Sequence, residues 1–182
     1  LFPLDTPGGR PHGDWNALGM RASGSQSVSF ENCLVPHDAL RKIGPWGRWS
    51  IPVLVHRTLA NVPLVAAFLG IAEAAFEIGL DVQKKADKAA SRPGVAHALA
   101  EMEILLATCQ SILAQLGQKL DRFMDVTEGG ATATYDQGHE LMKDYQCAKW
   151  VVNRIAIAIV NQAMDLFGGC GYMARNPLTR LY

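Results

Sequence analysis

Three long stripes of apolar residues at helical period run through the chain, and the polar breaks between them set its plan. The first predicted helix runs from Ile51 to about Lys85. Pro52 suits its opening turn, where a missing N–H costs nothing. Pro63 lies inside and is expected to kink or divide the helix, because its ring crowds the carbonyl four residues back. From Leu64 to Leu80 the helix is apolar on nearly all sides, with Val65, Phe68, Leu69, Ile71 and Phe76, which predicts a central place in a bundle. Gln83-Lys84-Lys85 reads as its wet end.

The second helix is predicted from Val95 to Val126. Leu99, Met102, Leu106, Cys109, Leu113, Leu116 and Leu120 form its stripe, with Glu103, Gln110, Gln118 and Arg122 opposite. The third is predicted from near His139 to Gly168, on Ala148, Val152, Ile155, Ile159 and Ala163. Ala89–Gly94 reads as a break and Thr127–Gly138 as a polar loop. Ahead of the helices, Ser25 to Val35 alternates. Val28 and Phe30 fall on one face and Ser27, Ser29 and Glu31 on the other, a half-buried strand that Pro36 ends. Leu1–Leu4 reads as the tail of another strand. Gly44-Pro45 and Gly47 make residues 37–50 a linker. Trp46 and Trp49 in it are expected to pack as a hinge rather than line a pocket.

The fold class is therefore mainly α: an up-down helical bundle preceded by a short β-strand remnant. Residues 1–36 are the remnant, 37–50 the linker and 51–182 the bundle.

Charge narrows the function. Seventeen basic and seventeen acidic residues cancel, which argues against a nucleic-acid partner. Polar residues interrupt each apolar run, so no segment is expected to span a membrane. No basic stretch followed by an apolar run opens the chain, so no signal peptide is expected. The cysteines, at 33, 109, 147 and 170, form no close pair, and the five histidines are scattered. Free thiols in a reducing, cytoplasmic setting and no metal site are the expectation. Glu73 and Glu77, four apart on an apolar helix, read either as an acid–base pair or as acids facing water or a cation. Glu101 reads as structural.

The third helix closes on AMDLFGGCGYMARNPLTRLY, where Gly168 and Gly169 end it, Gly171-Tyr172 follow and Pro177 discourages resumption. By itself this is a capped helix and a turn. Together with Lys149 and Arg180 it resembles a signature near the end of the acyl-CoA dehydrogenase family, a long helix, then GGxGY, then a proline turn leading to an arginine. A second segment, GMRASGSQSVSFENCLVP at residues 19–36, resembles that family's motif in the middle β-domain. The resemblance implies the end of the β-domain plus a C-terminal helical domain that stops before its last helix.

The resemblance further implies FAD, removal of two hydrogens across the Cα–Cβ bond of an acyl-CoA or other small-molecule substrate, and a homodimer or homotetramer. It implies that Asp165, Leu166, Phe167, Gly168 and Gly169 lie against a neighbouring subunit's FAD. The family's usual catalytic Glu has no counterpart in this chain, so no catalytic residue is assigned. Some relatives carry an acid and an arginine on the first long helix, where this chain reads Thr58-Leu59-Ala60-Asn61. Arg-x-x-Phe-Gly after that helix is replaced by Lys84-Lys85-Ala86-Asp87-Lys88-Ala89. These departures keep open two alternatives: a flavin-dependent monooxygenase of the same fold, and a non-catalytic helical assembly module.

Overall fold

Pairing partners give the direction of each helix. In the computed structural model, which describes residues 3, 5–40, 43–85 and 92–181, three helices dominate: α1 (Ile51–Lys85), α2 (Pro93–Val126) and α3 (Tyr135–Phe167). Glu101 of α2 meets Gln162 of α3, while Lys119 meets Asp144, so α2 and α3 are antiparallel. Thr58 of α1 meets Met142, and Gln83 meets Leu166, so α1 and α3 are parallel. The order is up-down-up, as the pattern predicts.

The core follows the stripes. At one end Ala72, Ala75, Met102, Leu106, Ile159 and Ala163 are buried together. The alanines let α1 and α3 approach closely, and full burial of a side chain such as Met102 or Ile159 contributes about 1.5–3 kcal/mol. Val65, Cys109, Leu116, Tyr145 and Val152 fill the middle. Val55, Phe123, Ala133 and Leu141 close the other end.

Several expectations change. The helix most embraced by the others is α3, not α1, because α1 has neighbours on one side only among the described residues; Leu64 stays 44% exposed. Pro63 does not divide α1, which runs through it. Gln83, assigned to the wet end, is only 1% exposed. By length and composition α1 and α2 are apolar enough to cross a membrane, contrary to the sequence reading. In this fold both pack with α3, and Glu73 of α1 accepts a 2.8 Å hydrogen bond from Gln110 of α2. Glu73 is thus tied to a neutral amide.

α3 starts four residues before the predicted His139. Thr134 and Gln137 form a reciprocal cap, in which Thr134 Oγ1 accepts from the Gln137 N–H and Gln137 Oε1 from the Thr134 N–H. Gly138 read as loop but lies inside the helix, where a Cβ would sit 3.4 Å from Leu54 Cδ1.

Residues 1–44 form a compact unit distinct from 45–182, and the division falls within the predicted linker. In the first unit β1 (Gly9–Pro11) pairs antiparallel with β2 (Val28–Phe30). The predicted strand over 25–35 shrinks to three residues, and Val28 and Phe30 are exposed while Ser29 is half-buried. A pair of short strands alone buries little of either face. Side chains hold the connection: Asp14 accepts from the Ser27 N–H and Gln26 from the Gly13 N–H, both at 2.8 Å. The predicted strand at Leu1–Leu4 and the segment at Ala86–Ala89 lie outside the described residues. Trp46 is fully exposed rather than packed, and Trp49 is about half exposed beneath Arg57.

Candidate functional site

The glycine loop sits where α1 and α3 end together. Gln83 Nε2 donates to the Leu166 carbonyl at 2.9 Å, pinning the last turn of α3 to α1. Its Oε1 is buried with no hydrogen-bond partner among the described residues. Gly168 then takes φ 61°, ψ −145°, a conformation open essentially to glycine alone. A short 3-10 turn, Gly168–Tyr172, follows. In it Gly171 lies so close to α3 that a Cβ would fall 2.4 Å from the Met164 carbonyl oxygen. Asn176 locks the next bend, with Nδ2 donating to the Cys170 carbonyl and Oδ1 accepting from the Leu178 N–H, both at 3.0 Å. Leu178 is fully buried and anchors the loop to the core.

The five residues singled out by resemblance separate into two groups. Leu166 and Phe167 pack into the core cluster. Asp165, Gly168 and Gly169 are exposed, and no atom lies within 4 Å of a Cβ built on either glycine. Asp165 accepts from the Tyr172 hydroxyl at 3.1 Å. The corner is therefore a rigid ledge with a bare backbone edge. It joins two helix C-termini to the Asp165 carboxylate, with Lys84 and Lys85 in the last turn of α1 as countercharges. A ring N–H or ribose hydroxyl suits the carboxylate.

At the other end of α1 the expectation that Trp49 packs as a hinge is corrected, since it lines a pocket, and sequence reasoning did not foresee Arg57 and Lys149 beside it. There, α1 and α3 border a pocket of about 420 Å³ lined by Trp49, Leu54, Arg57, Asn61, His139, Met142, Tyr145, Gln146 and Lys149. Arg57 stacks its guanidinium 5.0 Å from the Trp49 ring centre. Thr58, where relatives of one type carry an acid, is buried and donates to the Leu54 carbonyl at 2.9 Å. Asn61, at the matching arginine position, donates to the Arg57 carbonyl. Among the described residues no carboxylate lines the pocket.

Comparison with known proteins agrees with this fold. The family model described as "Acyl-CoA dehydrogenase, C-terminal domain" matches residues 63–182. The chain is 34% identical to the amino sugar nitrososynthase RubN8 of Streptomyces rubradiris, over 100% of this chain and 42% of that protein. It is 25% identical to the human mitochondrial short-chain specific acyl-CoA dehydrogenase, over 100% of this chain and 41% of that protein. A solved structure of KijD3, in complex with FMN and dTDP-3-amino-2,3,6-trideoxy-4-keto-3-methyl-D-glucose, superposes with a TM-score of 0.81 at 29% identity, over 97% of this chain and 42% of that one. The chain thus spans about two fifths of the length of the curated relatives it matches. With 120 consecutive residues matched, the chain belongs to the acyl-CoA dehydrogenase family, and its helices α1–α3 come from that family's C-terminal domain.

Proposed function

We propose that the protein to which this chain belongs is a flavin-dependent oxygenase that oxidises the amino nitrogen of a nucleotide-linked amino sugar. The observation that carries this reading is the likeness to an amino sugar nitrososynthase across the whole chain, closer than the likeness to a dehydrogenase. The chemistry of α1 agrees. Where dehydrogenase-type relatives place an acid and an arginine, this chain has a core-facing Thr58 and an amide, Asn61. Neither can take an α-proton from a thioester substrate as a carboxylate does.

A flavin fits the glycine ledge. Gly168 and Gly169 leave its backbone edge open, and Asp165 stands at the rim to accept from a hydroxyl or ring N–H. When bound and reduced, the flavin supplies the two electrons that convert one atom of O₂ to water as the other goes onto nitrogen. This chain's residues bind and orient; none is assigned to proton transfer. By family resemblance the ledge serves a neighbouring copy's flavin, so we infer a homodimer or homotetramer. The free cysteines fit a cytoplasmic location.

The test supplies the intact protein with FMN or FAD, a flavin reductase, NADH, O₂ and a dTDP-linked amino sugar, and follows the product by mass spectrometry. A hydroxylamino or nitroso sugar supports the reading. Bleaching of bound flavin by an acyl-CoA, with the amino sugar left untouched, restores dehydrogenation in its place.

A further inference from the structure

Where α1 and α3 finish together, two residues of α1 one turn apart set how the helices meet. A Cβ built on Gly79 would stand 3.5 Å from Leu166 Cδ1 and 3.8 Å from Ala163 Cβ, so α1 runs against α3 there with little space to spare. Gln83 lies four residues on, on the same face of the helix. Its Nε2 donates to the Leu166 carbonyl at 2.9 Å. That carbonyl is among the last four of α3, which find no N–H further along the helix. Leu166 stands two residues ahead of Gly168, so the bond fixes the backbone where it turns onto the ledge. Asn176 and Leu178 hold the far side of the same loop.

An amide in this place does little for stability. Gln83 is 1% exposed, and its Oε1 is sealed with no partner among the described residues, a cost that an apolar side chain of similar size avoids. The donor half gains about what the acceptor half loses. What remains is direction. A hydrogen bond accepts a narrow range of placements of the Leu166 carbonyl, whereas an apolar contact accepts many. We propose that Gln83 is a positioning residue: it holds the open Gly168–Gly169 edge in one place, so that a planar ligand meets a preformed ledge without touching Gln83 itself. A preformed edge spares the ligand the entropy of ordering it. For a flavin this rests on the ledge being its seat, as proposed above; the hold on the backbone does not.

Amide hydrogen exchange in the intact protein tests the hold, and flavin titration tests its consequence. In Gln83→Leu the amides of residues 168–170 should exchange about tenfold faster or more. Those of Tyr145 and Val152, buried in the middle of α3, should keep their rates, and Tm should stay within a few degrees. FMN or FAD should bind about fivefold more weakly or worse, the worth of one hydrogen bond. At saturation the visible circular dichroism of the bound flavin, which reports how the ring is seated, should change. A residue serving stability alone would move none of these at constant Tm. Gln83→Met, closer to glutamine in shape, carries the same expectations should the leucine variant fold poorly. The inference is overturned if ledge exchange in both variants matches that of the unaltered protein, or if flavin affinity is unchanged in both while Gly169→Ala lowers it. If Gly169→Ala and Asp165→Asn also leave flavin affinity unchanged, the ledge is not the flavin's seat and that reading fails, while the exchange rates still decide whether Gln83 holds the backbone.

Discussion

The two ends of the bundle are built by opposite means. The glycine ledge is made of backbone: two helix C-termini, a 3-10 turn, Gly168 at positive φ and Gly171 pressed against α3. The pocket is made of side chains, drawn from positions such as Arg57 and Lys149 that lie 92 apart in the chain. Lys84 and Lys85 stand at the first end and Arg57 and Lys149 at the second, so construction rather than charge sets the two apart. Substitutions should divide the same way: backbone changes at the ledge cost stability, whereas exchanges of exposed side chains at the other end cost little.

The sharpest break of that contrast is Gly171→Ala. Its Cβ would meet the Met164 carbonyl oxygen, a backbone atom that cannot swing away. A loss of about 3 kcal/mol is expected, as for severe overpacking, read as a clear fall in Tm by differential scanning fluorimetry. Gly168→Ala comes next. It meets no neighbour, but φ 61° with ψ −145° strains any L-residue, at about 1–3 kcal/mol. Gly169→Ala is the internal control, with neither clash nor positive φ. It should leave Tm unchanged, so any loss of flavin affinity in that variant belongs to the ligand and not to the fold. Equal Tm losses in all three variants would show that the ledge is merely crowded.

How much of each end was legible follows from the same contrast. Backbone constraints leave local marks, so the ledge could be read from Gly168-Gly169-x-Gly171 and the helix before it. The helix ends were equally local, and α1 spans Ile51–Lys85 as its pattern predicts. The start of α3 slipped because the Thr134–Gln137 cap was overlooked and Gly138 was taken for loop, although it packs on Leu54. The pocket left only a faint local mark, in Trp49 and in the departures at Thr58 and Asn61. Arg57 and Lys149 read as ordinary surface cations until α1 and α3 are laid parallel. Gln83 misled for a related reason: polar and beside two lysines, it looked solvated, yet the end of α3 covers it.

Gln83 also refines the ledge. Gln83→Leu removes its hydrogen bond to Leu166 but also removes the orphaned Oε1. The two changes oppose each other, since a typical hydrogen bond contributes about 1 kcal/mol and an unsatisfied buried acceptor costs a similar amount. The expected net change in urea unfolding is under about 1 kcal/mol. Gln83→Ala loses packing as well and should cost about 2 kcal/mol. If leucine proves as damaging as alanine, Oε1 has a partner in the folded protein, and the ledge carries a polar demand beyond its backbone.

The smallest effect tests the pocket's side of the contrast. Lys119 pairs with Asp144 at 2.6 Å between α2 and α3, with its side chain 44% exposed and that of Asp144 23% exposed. Such a pair is screened by solvent and contributes about 0.5 kcal/mol or less, so Lys119→Met should lower urea stability by no more than that. The loss should vanish in 1 M salt, where screening acts within about 3 Å. If the loss persists in 1 M salt, packing of the Lys119 stem carries the effect and not its charge.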